Sequence, residues 1–342
     1  MELPALQSLL KEHNIPTFRY KQIVDAYFSK PIASWSEVKG IGKELVTLLE
    51  EKLPFCSITY KDHTITEDVI KYVFTLASGD LIEAVVMKHD DDRRTLCLSC
   101  QSGCPMGCYF CATGTMGLKK NLTASEIVDT AREVNRILQT EYNETLTNIV
   151  YMGMGEPFAN YKPVKDSLQM LHDLMGFGWR RLSVSTCGIV PKILEFAKDF
   201  PQVNLAISLH AGTNEKRSKM MPINDTYPLE KLMKACEEYV ETTHRKIFFE
   251  YLVIDGFNDT KEDAQALKKI LNHHLYHLNL IRFHATSATQ SAYGITWKAP
   301  TKSRLDEFME EINLAHIPFT LRRSFGERVD AACGMLALKN KD

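Results

Sequence analysis

Thr95-Leu96-Cys97-Leu98-Ser99-Cys100-Gln101-Ser102-Gly103-Cys104-Pro105-Met106-Gly107-Cys108-Tyr109-Phe110-Cys111 is the stretch on which the fold turns. Its start, Thr95–Ser99, predicts a strand, and the glycine- and proline-punctuated remainder predicts a loop. Strand and helix patterns alternate from there almost to the end of the chain. The predicted strands are Asn148–Met152, Arg181–Ser185, Asn204–Leu209, Lys246–Ile254, Leu278–His284 and Phe319–Ser324. Helical patterns fall between them at Ala124–Thr140, Pro163–Leu174, Lys192–Asp199, Leu229–Thr242, Lys261–Leu271 and Ser303–Ala315. Thr123-Ala124-Ser125-Glu126 has the form of a capping box at a helix start. Alternation sustained over this length predicts a parallel sheet wound by right-handed crossovers, a full or partial β/α barrel with its site on the loops that follow the strands.

Upstream, residues 1–56 read as short helices and 57–92 as β-rich, with strands at Ser57–Tyr60, Val69–Thr75 and Leu81–Met87 and a Ser78-Gly79-Asp80 turn. The chain of 342 residues is 44% hydrophobic and 25% charged, enough apolar material for a sizeable core. Lys and Arg total 41 against 43 Asp and Glu, a net charge of −2, so any nucleic-acid partner has to be met by a local basic surface. Lys119, Lys120, Arg180 and Arg181 are the candidates. No run of about 18 apolar residues and no leader pattern occurs, which predicts a cytoplasmic protein with no membrane segment.

Five of the nine cysteines lie between Cys97 and Cys111, and in a long intracellular chain such clustering predicts a metal centre or thiol chemistry. Three thiolates at Cys104, Cys108 and Cys111 suit zinc or an iron–sulfur cluster, and a set of three leaves one position open to a small molecule. On spacing alone, zinc and plain redox thiols stay open. Cys-x3-Cys-x2-Cys with an aromatic before the last Cys resembles the radical S-adenosylmethionine (SAM) signature. That resemblance implies a [4Fe–4S] cluster on Cys104, Cys108 and Cys111. It also implies SAM contacts from the loops after the later strands: Gly155 and Glu156 in Met152-Gly153-Met154-Gly155-Glu156-Pro157, Ser185, and Ser208-Leu209-His210.

The likeness is closer than a superfamily. Thr95–Ser99, the cysteine triplet, Gly117–Thr123, Met152–Pro157, Arg180–Thr186, Arg217–Asn224 and Asp330-Ala331-Ala332-Cys333-Gly334, in that order, resemble the RlmN/Cfr family of radical SAM RNA methyltransferases. The resemblance implies a partial (β/α)6-type barrel over residues 93–336, a helical accessory domain over 1–56 that is read either as an RNA-binding module or as a packing domain, a β-hairpin linker over 57–92 and a tail at 337–342. It implies methylation of an adenine ring carbon in 23S rRNA with two SAM per turnover, at C2 as in RlmN-type members, which often modify tRNA too, or at C8 as in Cfr-type members, with C2 the favoured of the two. An external electron donor such as flavodoxin and a monomeric enzyme complete that picture.

Adenine C2 and C8 are electrophilic and do not attack a sulfonium methyl. The resemblance therefore implies that Cys333 first takes a methyl group, that a second SAM yields a 5′-deoxyadenosyl radical which activates that methyl, and that the carbon adds to adenine. Glu83 matches the family's proton acceptor. Cys97 matches the thiolate that releases product by forming a transient disulfide with Cys333. Taken without the family, Cys333 is an inert buried thiol, Cys97 a core residue and Glu83 a surface carboxylate. Cys56, Cys187 and Cys236 read as packing residues, and Cys100 as a thiol on the face opposite Cys97. The pattern departs from the family at His284, where Asn usually contacts SAM, and at Ala285, where Pro is usual. Two alternatives remain: a radical SAM methyltransferase with another RNA or non-RNA substrate, and an iron–sulfur RNA-binding protein without catalysis.

Overall fold

The computed structural model describes residues 1–323, 325–326 and 334–336. Its strands are β1 (Ile58–Ile65), β2 (Val69–Leu76), β3 (Leu81–Lys88), β4 (Arg94–Cys97), β5 (Gln101–Gly103), β6 (Leu118–Asn121), β7 (Asn148–Tyr151), β8 (Leu182–Thr186), β9 (Asn204–Ser208), β10 (Ile247–Val253), β11 (Tyr276–Arg282) and β12 (Phe319–Leu321). One sheet runs β1-β2-β3-β4-β7-β8-β9-β10-β11-β12. From β4 to β12 every pairing is parallel. The crossovers carry the helices Ala124–Ile137, Tyr161–Asp173, Val190–Asp199, Leu229–Thr243, Lys261–Ile270 and Lys302–Leu314. β1 and β12 remain edges of the described sheet, so the barrel is partial.

The β-rich segment does more than link. β1, β2 and β3 pair antiparallel and continue the barrel's own sheet through β4. The charged run before Cys97 makes the β3–β4 turn, with the His89 N–H donating to the Arg93 carbonyl at 3.0 Å. β5 and β6 form a separate antiparallel ribbon that closes the base of the cysteine loop. Both strands are too short to show a period-2 pattern, which is why the sequence reads as plain loop there.

The N-terminal helices are Leu3–Glu12, Thr17–Ser29 and Lys43–Lys52, and Thr17–Ser29 contacts helix Ala124–Ile137, whose capping box (Thr123 with Glu126) forms as expected. Polar residues of that helix are buried at the contact. Arg132 Nε donates to the Tyr27 carbonyl at 2.8 Å and its guanidinium stacks 3.9 Å from the Tyr27 ring centre. The Asp129 carboxylate accepts from Tyr27 Oη at 2.7 Å and from the Ser57 N–H at 2.8 Å. A single apolar core runs through both parts, from Leu6 and Tyr27 to Phe308.

Candidate active site

A cavity opens where the parallel strands end. Cys104, Cys108 and Cys111 all line it. Their loop is pinned at both ends: the Cys104 N–H donates to the Gly117 carbonyl at 3.0 Å and the Tyr109 N–H to the Met220 carbonyl at 2.9 Å. Backbone N–H groups of Met106, and of Thr113 and Gly114, face the sulfurs of Cys104 and Cys111. Burial pushes the Cys104 thiol up to about 12, and raises Cys108 and Cys111 too, so a bound metal is what would make thiolates the stable form. Three soft donors lining one cavity fit an iron–sulfur cluster, in which each thiolate binds its own iron.

The loop after β7 supplies Gly153, Gly155 and Glu156 to the cavity. Its glycines also serve a contact within the protein. A Cβ on Gly153 would stand 2.7 Å from the backbone of Leu98, and one on Gly155, at φ +103°, would stand 2.6 Å from the Gln101 Cβ. The two loops that follow β4 and β7 nest on each other, and only glycine allows it. The Gln101 Oε1 accepts from the Glu156 N–H at 2.8 Å. Glu156 itself is buried; its Oε1 accepts from the Phe158 N–H at 2.9 Å and its Oε2 from the Cys187 N–H at 2.8 Å. The side chains of Thr186 and Cys187 also hydrogen-bond to this carboxyl. Burial raises the Glu156 carboxyl, against the lowering effect of those N–H groups.

Ser185, Ser208 and His210 line the same cavity from the ends of β8 and β9. His210 adopts a left-handed φ of 58°, uncommon for a residue with a Cβ and strained by about 1 kcal/mol or more. Its Nδ1 accepts from the Leu252 N–H at 3.1 Å, which leaves the proton on Nε2. Burial, with help from Arg217, lowers His210 to about 3, so the ring is neutral. Leu209 contributes differently from expectation. Its side chain is fully buried in the main core, outside the cavity lining, and its carbonyl accepts from Arg217 Nε at 3.2 Å.

Cys97 and Glu83 lie beside this cavity rather than in its lining. Cys97 is buried with Val69, Val85, Val150, Met154 and Leu336, and Leu336 also faces the cavity. Val85 of β3 is the register partner of Cys97, and Glu83, two residues along β3, shares their face. Glu83 is 2% exposed, so the surface-carboxylate reading fails, and Lys71 Nζ lies 3.1 Å from its Oε1. Cys100 packs in the main core, apart from the Cys97 cluster. Cys333 lies outside the described residues. The adjoining Gly334 does line the cavity, and its carbonyl accepts from the Ala112 N–H at 2.8 Å. No disulfide joins two of the described cysteines. His284 is half-buried just past β11 and is not part of the cavity lining. Arg180 and Arg181 immediately precede β8, at the end of the sheet opposite the cavity, whereas Lys119 lies on β6 beside the cysteine loop. Parallel strands put everything before them on the far side, so the two arginines leave the basic surface near the site.

Several site residues escaped the sequence reading. Cys187, taken for packing, lines the cavity and contacts Glu156. Arg217, within a motif whose role spacing could not reveal, is fully buried and donates to the carbonyls of Cys187 at 2.7 Å and Ser208 at 3.1 Å and to Asn224 Oδ1 at 3.0 Å. Glu250 and Leu252 of β10 look in sequence like any strand interior, yet both face the cavity.

Residues 98–268 match the Radical SAM superfamily. The chain is 37% identical to the ribosomal RNA large subunit methyltransferase Cfr of Shouchella clausii, over 97% of this chain and 94% of that protein. It is 38% identical to the dual-specificity RNA methyltransferase RlmN of Syntrophobacter fumaroxidans, over 98% and 96%. A radical SAM methyltransferase from Sphaerobacter thermophilus superposes with a TM-score of 0.91 at 39% identity, covering 98% of this chain and 97% of that one. The cysteine cavity, the sheet around it and near full-length similarity agree: this chain belongs to the RlmN/Cfr family of radical SAM RNA methyltransferases, enzymes that depend on SAM and a [4Fe–4S] cluster.

Proposed function

We propose that this enzyme methylates C2 of adenine in 23S rRNA, and in tRNA, by way of a methyl group carried on Cys333. The observation that carries the reading is the convergence of Cys104, Cys108, Cys111, Glu156, Ser185, Ser208 and His210 on one cavity over which the Gly334–Leu336 segment is tied. That tie is made by the Ala112 N–H to the Gly334 carbonyl and by Thr113 Oγ1 to the Leu336 carbonyl at 2.6 Å. The choice of C2 leans on RlmN-named relatives, 38% identical against 37% for Cfr of Shouchella clausii, and the tRNA target on the words "dual-specificity" in their names.

When bound at the three thiolates, the cluster and SAM supply the radical chemistry. The protein's own residues do the rest. Glu156 accepts from the SAM amino group, and the neutral His210 offers its Nε2–H to the same ligand. The Cys333 thiolate takes up the methyl group, and Glu83, held in an ion pair by Lys71, accepts the ring proton once the carbon has joined the ring. Cys97 then attacks the Cys333 sulfur, releasing the methylated base and leaving a disulfide that an external reductant reopens. Residues 1–56 serve as an RNA-binding accessory module, 57–92 as the β-rich extension and 93–336 as the barrel. The enzyme acts as a monomer in the cytoplasm with a flavodoxin-type electron donor; no helix among the described residues is long and apolar enough to cross a membrane. Mass spectrometry of nucleosides from rRNA and tRNA, with and without the gene, tests the assignment. C2-methyladenosine dependent on the gene in both RNAs is expected, and C8-methyladenosine or no change would overturn it.

A further inference from the structure

Glu250 stands out among the buried ionisable groups as one to which the reaction above assigns nothing. It lies on β10 with Ser208 of β9 as one register partner and Asn279 of β11 as the other, so the three side chains share the inward face. It is 4% exposed and lines the cavity floor. Its two oxygens are treated unequally. Asn279 Nδ2 donates to Oε1 at 2.9 Å and Arg322 Nη1 approaches the same oxygen at 3.3 Å. Oε2 is buried with no hydrogen-bond partner among the described residues. Leaving a buried polar atom unmatched costs about 1–3 kcal/mol, more for a charged group, so such an atom facing a ligand cavity is best explained by a donor that arrives with the ligand.

The chemistry of the cavity narrows the donor. Cys104, Cys108, Cys111 and Glu156 gather around the amino-acid end of SAM on the reading proposed above. A ligand carboxylate would be repelled by Glu250. The donors left on a nucleoside are the vicinal ribose hydroxyls and the adenine amino group. Glu250 stands beside the Ser208 hydroxyl on the neighbouring strand, a pair of oxygens matched to two adjacent hydroxyls rather than to one amino group, and this favours the sugar. We propose that Glu250 is a ligand-binding residue whose Oε2 accepts a hydrogen bond from a vicinal ribose hydroxyl of bound SAM, with Asn279 and Arg322 fixing the carboxyl from behind. This rests on the cavity being the SAM site.

The test is calorimetric titration of cluster-loaded protein with S-adenosylhomocysteine and with its 2′-deoxy and 3′-deoxy forms. The wild type is expected to bind S-adenosylhomocysteine about tenfold or more tightly than one of the deoxy ligands, the usual worth of a charge-assisted hydrogen bond. Glu250→Gln turns its amide oxygen to Arg322 and its NH2 to the cavity; it should lose about tenfold on S-adenosylhomocysteine and nothing on that deoxy ligand. Glu250→Asp, which keeps the charge for Arg322 and withdraws the acceptor, should do the same and guards against a folding defect in the first variant. Equal losses on all three ligands, or no loss in either variant, would overturn the inference while leaving the cavity reading intact. A wild type that binds none of the three would overturn the cavity reading itself.

Discussion

Arg217 offers the sharpest test of how this site is held together. Its guanidinium is fully buried and faces neutral acceptors: the carbonyls of Cys187, Ser208 and Leu209 and the side chain of Asn224. These acceptors belong to the loops after β8 and β9, so one cation ties together two walls of the cavity. Arg217→Met keeps an apolar stem and removes the fork. The Leu209 carbonyl retains the Ala211 N–H at 2.8 Å, whereas the Cys187 carbonyl, the Ser208 carbonyl and Asn224 Oδ1 lose a charged donor. At about 1–3 kcal/mol for each stranded acceptor the gross loss is about 3–9 kcal/mol. Sparing the folded protein a buried charge returns several kcal/mol. The expected net loss is about 3 kcal/mol, and Arg217→Lys should lose roughly half of that because a point charge reaches fewer acceptors. Urea denaturation should show the methionine variant unfolding up to about 1 M earlier, and titration should show weaker S-adenosylhomocysteine binding because Ser208 and His210 are no longer held. A variant within about 1 kcal/mol of wild type, with unchanged ligand affinity, would refute the claim that Arg217 organises the cavity.

Changing any one of Cys104, Cys108 or Cys111 to Ala should abolish the brown chromophore and reductive SAM cleavage; a colourless, stoichiometric zinc protein that remains active would contradict the cluster assignment. Cys333→Ala should block methyl loading altogether. Cys97→Ala should load and attack but accumulate protein covalently joined to RNA, visible on a denaturing gel, and clean product release would remove Cys97 from the resolving role. His210 predicts an acid-labile fold. Its pKa is depressed in the folded state, so the unfolded chain binds its proton first as pH falls below about 6.5, and stability drops by up to about 1.4 kcal/mol per pH unit towards about 3. The wild-type advantage over His210→Asn should shrink across that window, and a constant advantage in paired urea titrations would count against a neutral buried ring. Lys119→Glu should weaken RNA binding and flatten its salt dependence by about one counterion, whereas Arg180→Glu should leave both unchanged; equal effects would mean that RNA wraps both ends of the barrel.

Much of this was open to inspection in the chain itself. Each predicted strand from Thr95 to Phe319 exists within a few residues, because apolar runs between polar turns can bury only as parallel strands under helices. The Thr123–Glu126 capping box is local chemistry and forms wherever its four residues do. The three cysteines converge because their spacing confines them to one loop. What only the tertiary structure decided involves partners distant in sequence. The Gly153 requirement comes from the Leu98 backbone, which no inspection of Met152–Pro157 reveals. Arg180 and Lys119 look alike as letters and stand at opposite ends of the sheet, because the strand direction between them assigns their sides. Glu250 passes unnoticed inside a predicted strand until β9, β11 and the Arg322 side chain surround it. Periodicity and loop spacing are written into neighbouring residues; burial, charge pairing and the sharing of a cavity depend on which strands lie side by side, and that is settled only when the sheet closes around them.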